Sequence, residues 1–346
     1  MSDEKQCKFR PKELAIILSH YDLGTILEIH SHRRGNILSP KSLVVSEKGK
    51  FFLKRRAPGK DDPYRVALAH DVQLYLSKKG FCTPRLIGTR HSNSSMLQAY
   101  AAIYELFEYI DGEEYDGSEA ATVSAGRTLY RLHELLVDYQ PDYQVPDKTC
   151  HTNPGVRKDI QAAMPVISKN DSVMGQEAEL AGLCMELLTA YEEAGELADR
   201  SGYGRLPRVI CHGDWHPGNM IFRQGQVISV IDYDSLQRMP ALGDVANGCL
   251  QFSLIARGTD PSGWPDHMDV ERGRQFLRGY RPQTPWSQPE LQIIAALMIE
   301  ALITEAVTPI AATGKFAYVQ GFRFLKMVAR KVKWLRQHAL GALASA

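Results

Sequence analysis

The spacing of apolar residues changes once along this chain, near Gly112, and that change limits the fold more than any other feature. Before it, short strand-like runs dominate. Thr25–His30 reads as one strand, and Leu43–Ser46 and Phe51–Arg55 flank Glu47-Lys48-Gly49-Lys50, a hairpin turn. Arg85–Gly88 and Ala101–Ile110 read as two more. Pro11–His20 reads as a short helix. A second helix opens at Asp62-Pro63, with aspartate as N-cap and proline at the first helical position. It carries Val66, Ala69, Val72 and Leu76 on one side and closes at Gly80. After Gly112 the period becomes helical, at Ser118–Val137, Glu177–Leu197 and Phe322–His338, interrupted by one β-like island, Val209–Val230. The expected class is α+β and bilobal. Residues 1–110 form an antiparallel sheet with one inserted helix, residues 111–346 form a mainly helical lobe, and Glu108–Gly112 connects them.

At 346 residues the chain can bury a sizeable core without covalent staples. Its 41 basic and 40 acidic residues leave a net charge of +1, which points neither to nucleic acid nor to a membrane surface. The six cysteines are widely spaced with no Cys-x-x-Cys pair, which speaks against a zinc ribbon and fits a reduced, cytoplasmic setting. The first twelve residues are polar and charged, and no uninterrupted apolar run approaches the roughly 18 residues of a membrane span.

The chemistry concentrates in Val209–Asp234, where apolar runs bracket two polar clusters. Strands at Met220–Phe222 and Val227–Ile231, joined by Gln224-Gly225, would bring His212–Asn219 beside Asp232. Two carboxylates, Asp214 and Asp232, and the Asn219 carbonyl are hard oxygen donors of the kind Mg²⁺ takes. Phosphoryl transfer needs such a metal to neutralise charge and a carboxylate to accept the attacking hydroxyl's proton. The spacing His212, Asp214, Asn219 fits the H-x-D-x-x-x-x-N loop of protein kinases, with Asp232 as the later metal-binding aspartate. His212, His216 and Asp214 also permit a transition-metal reading, though no third histidine lies nearby in sequence.

These residues resemble the aminoglycoside phosphotransferase / choline kinase superfamily, whose members share the protein-kinase-like fold. His-Gly-Asp-Trp-His-Pro-Gly-Asn (212–219) and Ile-Asp-Tyr-Asp (231–234) resemble its two signature motifs, Tyr130-Arg-Leu-His133 its helix ending in Leu-His, and Gly243-Asp244 its later Gly-Asp. Phe51-Phe-Leu-Lys54, a helix with His70, and Gly80-Phe81-x-x-Pro84 look most like the spore-coat-associated branch. The resemblance implies an ATP- and Mg²⁺-dependent kinase acting on a hydroxyl of a small metabolite: an amino alcohol, a choline-like amine, a sugar or an aminoglycoside. It implies Asp214 as catalytic base, Asn219 and Asp232 as Mg²⁺ ligands, and Lys54 as the lysine on the α- and β-phosphates. The backbone of Glu108 and Ile110 would meet the adenine edge.

Two departures stand out. The helix Arg65–Lys79 offers His70, Asp71 and Gln73 but no glutamate to pair with Lys54, so Asp71 is the candidate partner. The loop Ser31–Asn36 holds one glycine rather than a glycine-rich motif, and its Arg33 and Arg34 read chiefly as solvated charge. The missing glutamate leaves room for a non-catalytic binding or coat-assembly protein. The short stretch between Asp232 and Gly243 disfavours a kinase of protein side chains. Asp234 reads equally as a residue near the metal and as a turn cap. Asp244 reads as a brace for the catalytic loop, and His133 as a packed helix residue. Glu300 and Glu305 are candidates to meet a cationic acceptor. The basic stretch from Lys326 to Arg336 reads as the solvated face of a docked terminal helix.

Overall fold

The computed structural model describes residues 8–32, 38–147, 149–170, 173–256 and 258–344. Arg33 and Arg34 lie outside them. Helix α1 (Pro11–Ser19) precedes β1 (Ile26–His32), β2 (Lys41–Ser46) and β3 (Gly49–Arg55). Helix α2 (Pro63–Lys78) follows, then β4 (Leu97–Ala99) and β5 (Ala102–Glu108). The strands form one antiparallel sheet in the order β1-β2-β3-β5-β4. The expected strand Arg85–Gly88 is reduced to a single bridge, Leu86 to Phe107.

Alternation along β3 and β5 sorts the sheet into two chemical faces. Phe51 and Leu53 of β3 join Tyr104 and Leu106 of β5, with Ile17 and Leu18 of α1, in an apolar core. The opposite face carries Lys54 and Glu105, which sit directly across from each other, and Lys41 stands beside Lys54 on β2. Helix α2 begins as expected: Asp62 accepts the N–H groups of Tyr64 and Arg65, a cap contributing about 1 kcal/mol. It carries Leu68, Ala69, Val72 and Leu76 into the core of the helical lobe.

The connector is pinned to that lobe. Glu113 exchanges two backbone hydrogen bonds with Phe222, at 2.7 and 2.9 Å. Gly112 lies so close beneath that a Cβ there would stand 2.7 Å from the Phe222 carbonyl, which explains the glycine. Helix α3 (Glu119–Leu136) comes next, then α4 (Pro154–Asn170), which the sequence reading did not anticipate, and α5 (Glu177–Arg200). The island consists of β6 (Arg208–Cys211), β7 (Met220–Arg223), β8 (Gln226–Val230) and β9 (Gln237–Pro240), paired as β7 with β8 and β6 with β9.

Helices α6 (Leu242–Ser253), α7 (Val270–Tyr280), α8 (Gln288–Thr313) and α9 (Gly321–Leu343) complete the lobe. Among the described residues α8 alone is long and apolar enough to cross a membrane, and most of it is buried against its neighbours in the core. Leu325, Val328, Val332 and Leu335 of α9 dock on that core as expected. Lys331 corrects the expectation of a wholly solvated basic face. It is fully buried and donates to the Pro265 carbonyl at 2.7 Å, and burial lowers its pKa to about 8.

Candidate active site

The loop after β6 is held from behind. Asp244, in the first turn of α6 and fully buried, accepts the backbone N–H groups of His212 at 2.7 Å and Gly213 at 2.8 Å. His133 reaches the same carboxylate at 3.2 Å and the Tyr280 hydroxyl at 3.0 Å. Gly213 stands at φ +77°, and a Cβ there would lie 2.1 Å from the Ser235 carbonyl. The residue between His212 and Asp214 is therefore glycine for two reasons, backbone and space. Trp215 is fully buried behind Asp214.

The two motifs meet through the backbone. Ile231 donates its N–H to the Asn219 carbonyl at 3.0 Å, and His212 Nε2 faces the Ile231 carbonyl at 3.2 Å. Asn219 Nδ2 donates both to the Asp214 carbonyl and to Asp214 Oδ2, each at 3.0 Å. Asp232 follows Ile231 at φ 64°, in the left-handed region. Asp214 and Asn219, five positions apart, thus touch, and Asp232, thirteen positions further on, lies within electrostatic reach of Asp214.

Charge on these groups is set by burial and by neighbours. Burial pushes the Asp214 carboxyl up, but His216, His212 and Asn219 outweigh it and hold it below its ordinary value. His216 accepts the Gly218 N–H on Nδ1 at 3.0 Å, which leaves Nε2 as the protonated nitrogen, 3.6 Å from Asp214 Oδ2. Burial likewise raises Asp232, and Lys54 and Asp234 bring it down again. The two imidazoles thus serve different partners and form no common ligand set, so the transition-metal reading loses its basis. His133, Cys211 and Asp244 do lie close together, but they sit behind the loop and Asp244 is already engaged there.

Lys54, 13% exposed, reaches across the cleft to Asp234 Oδ2 at 3.1 Å and Asp232 Oδ1 at 3.4 Å. Burial lowers its pKa, but Glu105, Asp232 and Asp234 more than restore it. Asp71 is not its partner. On α2 it is His70 that faces the sheet, and Asp71, about 100° further round, accepts the Asp142 N–H. Asp234 is not a turn cap, since its other oxygen meets Arg56 at 2.7 Å. Arg56, which nothing in the sequence singled out, is 5% exposed and chelates Glu105 through two 2.8 Å bonds. The sequence carried little signal for this: Arg56 closes a run of three basic residues, and Glu105 is a single acidic residue within an otherwise apolar stretch of β5.

At the connector, Glu108 donates its N–H to the Arg85 carbonyl at 2.9 Å, so only its carbonyl is free to meet a ligand's donor. Among the described residues the Ile110 N–H has no backbone acceptor. Glu300 and Glu305 part company, being five residues and about 140° apart on α8. Glu300 points inward and braces the loop before α4, through His151 at 2.8 Å and the Thr152 N–H at 2.9 Å. Glu305 is solvent-accessible within the cleft and hydrogen-bonded by Gln251 of α6. Its end stays open to solvent, but the protein crowded around it limits its hydration, and this together with the charge of Asp214 raises its pKa to about 7.

The profile described as the phosphotransferase enzyme family matches residues 31–289. The chain belongs to that family. It is accordingly a small-molecule phosphotransferase, as the motifs implied. A homoserine kinase of Bradyrhizobium sp. is 26% identical over 84% of this chain and 81% of its own length. Among solved structures, the microcompartment-associated aminopropanol kinase superposes with a TM-score of 0.68 at 14% identity, covering 97% of this chain and 99% of that one. The amicoumacin kinase hAmiN, solved in complex with AMP-PNP, Ca²⁺ and Ami, gives 0.67 at 13% identity, covering 98% and 97%. At these identities the structures establish the bilobal kinase-like fold. Placement in the spore-coat-associated branch draws nothing from these relatives.

Proposed function

We propose that this chain transfers the γ-phosphate of ATP, with Mg²⁺, to a hydroxyl of a small amino alcohol. The observation that carries the reading is the meeting of Asp214, Asn219 and Asp232 across the cleft from Lys54. Residues 1–110 and 111–346 would act as two lobes closing on the nucleotide.

Asn219 and Asp232 are the proposed metal ligands, and three features support the fit. The Asn219 Nδ2 is committed to Asp214, which leaves Oδ1 for another partner. Asp232 holds a left-handed backbone that non-glycine residues seldom adopt without a use. Both donors are hard oxygens. A divalent ion held there would neutralise charge on the nucleotide's phosphates. The hAmiN complex, with AMP-PNP and Ca²⁺, supports nucleotide and divalent-ion use by this fold.

Asp214 is the proposed base. Its depressed pKa keeps it ionised at neutral pH, so it can accept the acceptor hydroxyl's proton as the new oxygen–phosphorus bond forms. The His216 Nε2–H and the Asn219 amide hold the carboxylate's orientation. Lys54 would pair with the α- and β-phosphates, while the Glu108 carbonyl and Ile110 N–H take the adenine edge.

The amino-alcohol class is favoured by the relatives' names, homoserine kinase and aminopropanol kinase. It is favoured also by Glu305, a carboxylate in the cleft within electrostatic reach of Asp214 and suited to an ammonium group. The alternative of a non-catalytic binding protein rested on Lys54 lacking a partner, and Lys54 has two. Mg²⁺-dependent ATP turnover across a panel of amino alcohols, sugars and aminoglycosides tests the proposal. Turnover confined to the sugars would remove the amino-alcohol class, and none with any acceptor would remove the activity.

A further inference from the structure

The cleft face of the sheet holds an ion-pair chain that crosses to the other lobe. His70 of α2 is anchored through Nδ1 on Ser95 Oγ at 2.8 Å and meets Glu105 Oε1 through Nε2 at 2.7 Å. Glu105, fully buried on β5, takes Arg56 Nε and Nη2, each at 2.8 Å. The same Nη2 lies 2.7 Å from Asp234 Oδ1, while Asp234 Oδ2 lies 3.1 Å from Lys54. Both Asp234 oxygens are thus occupied by cations of the sheet, two residues beyond Asp232.

We propose that Glu105 is a positioning residue: through Arg56 and Asp234 it fixes the Asp232 segment, doing from strand β5 what a helix glutamate does in protein kinases. Lys54 bridges Asp232 and Asp234, and a phosphate that binds Lys54 competes with them for its charge. A carboxylate left alone in that buried setting would be costly. Arg56 prevents this, because it stays on Asp234 when Lys54 leaves. Arg56 can stay only because Glu105 grips it in a bidentate, planar pair that a lysine could not make. Fixed in this way, Asp234 keeps the segment 231–235 in place, including the left-handed turn at Asp232. The inference rests on the assignment of Lys54 and Asp232 above, but it concerns a connection that exists before any nucleotide binds.

Hydrogen–deuterium exchange of the nucleotide-free protein in EDTA provides a direct test. The side chain of Glu105 bonds to Arg56 and His70 and not to residues 230–236. Even so, Glu105→Gln is expected to speed exchange across that segment about fivefold, as local opening there becomes easier. Arg56→Lys keeps the charge and loses the fork, so it should do the same, and it serves if Glu105→Gln does not fold. In turnover, Glu105→Gln should lower kcat about tenfold with the acceptor KM unchanged. The double variant Glu105→Gln/Asp234→Asn should be no slower than Asp234→Asn alone, since both act along one chain. Unchanged exchange at 230–236 in a folded variant, or losses of kcat that multiply, would overturn the inference. If exchange responds as stated while no acceptor supports turnover, the connection stands and the proposed activity falls.

Discussion

The loop 212–219 and the sheet face opposite it present charged groups to each other, and they hold them in different ways. The loop is held by its backbone. Asp244 takes two of its N–H groups, and the Asn219 carbonyl takes the Ile231 N–H. Its chemistry therefore sits in one short run, 212–219, with fixed spacing. The sheet face is held by side chains alone. Lys54, Arg56, Glu105 and His70 come from three elements and meet only because β3 and β5 pair in one register. A slip of one residue in that register would turn the whole set to the other face. Backbone-held chemistry leaves a motif, whereas register-held chemistry leaves only scattered charges with no fixed spacing.

If that contrast is right, loop variants should strike the chemical step and sheet variants the positioning of nucleotide and metal segment. The largest effect is expected at Asp214→Asn, which should lower turnover by about 10²–10⁴ with nucleotide affinity nearly kept. Steady-state kinetics beside equilibrium ADP binding will show whether the two separate. Asp244→Ala comes next. It strips two buried loop N–H groups of their acceptor and should cost about 1–3 kcal/mol for each. Denaturant unfolding measures that loss, and a value near zero would mean the loop is not anchored from behind.

Glu305→Gln should raise the KM of a cationic acceptor about tenfold and leave the KM of ATP unchanged. Its pH dependence has a definite sign. With a pKa of about 7, the carboxylate is charged above that pH and holds the cation, and it protonates and releases it below. The acceptor KM of the wild type should therefore climb as pH falls through 7, and that climb should be absent from Glu305→Gln. The smallest effect is expected at a helix cap. Asp62→Ala removes the cap of α2 and should cost about 1 kcal/mol in chemical denaturation without changing either KM.

The difference between the two regions also explains what was legible in advance. The hairpin of β2 and β3, the caps of α2, the helix α3 and the β island were readable because turns, caps and periodicity are local signals. Helix α4 was not, since Pro154 and Gly155 open it and Pro165 lies within it, which together look like a loop. Strand β9 was missed because Gln237 and Arg238 give it no apolar alternation, and its pairing with β6 is long-range. At the candidate site, the proximity of Asp214, Asn219 and Asp232 was readable from spacing. The partners of Lys54 were not, because a glutamate was sought on helix α2, whereas Asp232 and Asp234 reach it from the segment after β8. Arg56 did not stand out, since burial cannot be read from a run of three basic residues. Glu300 and Glu305 could not be told apart without knowing which face of α8 met the cleft.

The claim beneath all of this is that Asn219 and Asp232 hold a divalent ion that a nucleotide shares. Calorimetric titration of ADP into wild type and Asp232→Ala, each with Mg²⁺ and with EDTA, tests it most directly. The account predicts that Mg²⁺ tightens ADP binding to the wild type by about tenfold or more and leaves the variant's affinity unchanged. An equal gain from Mg²⁺ in both proteins would contradict it.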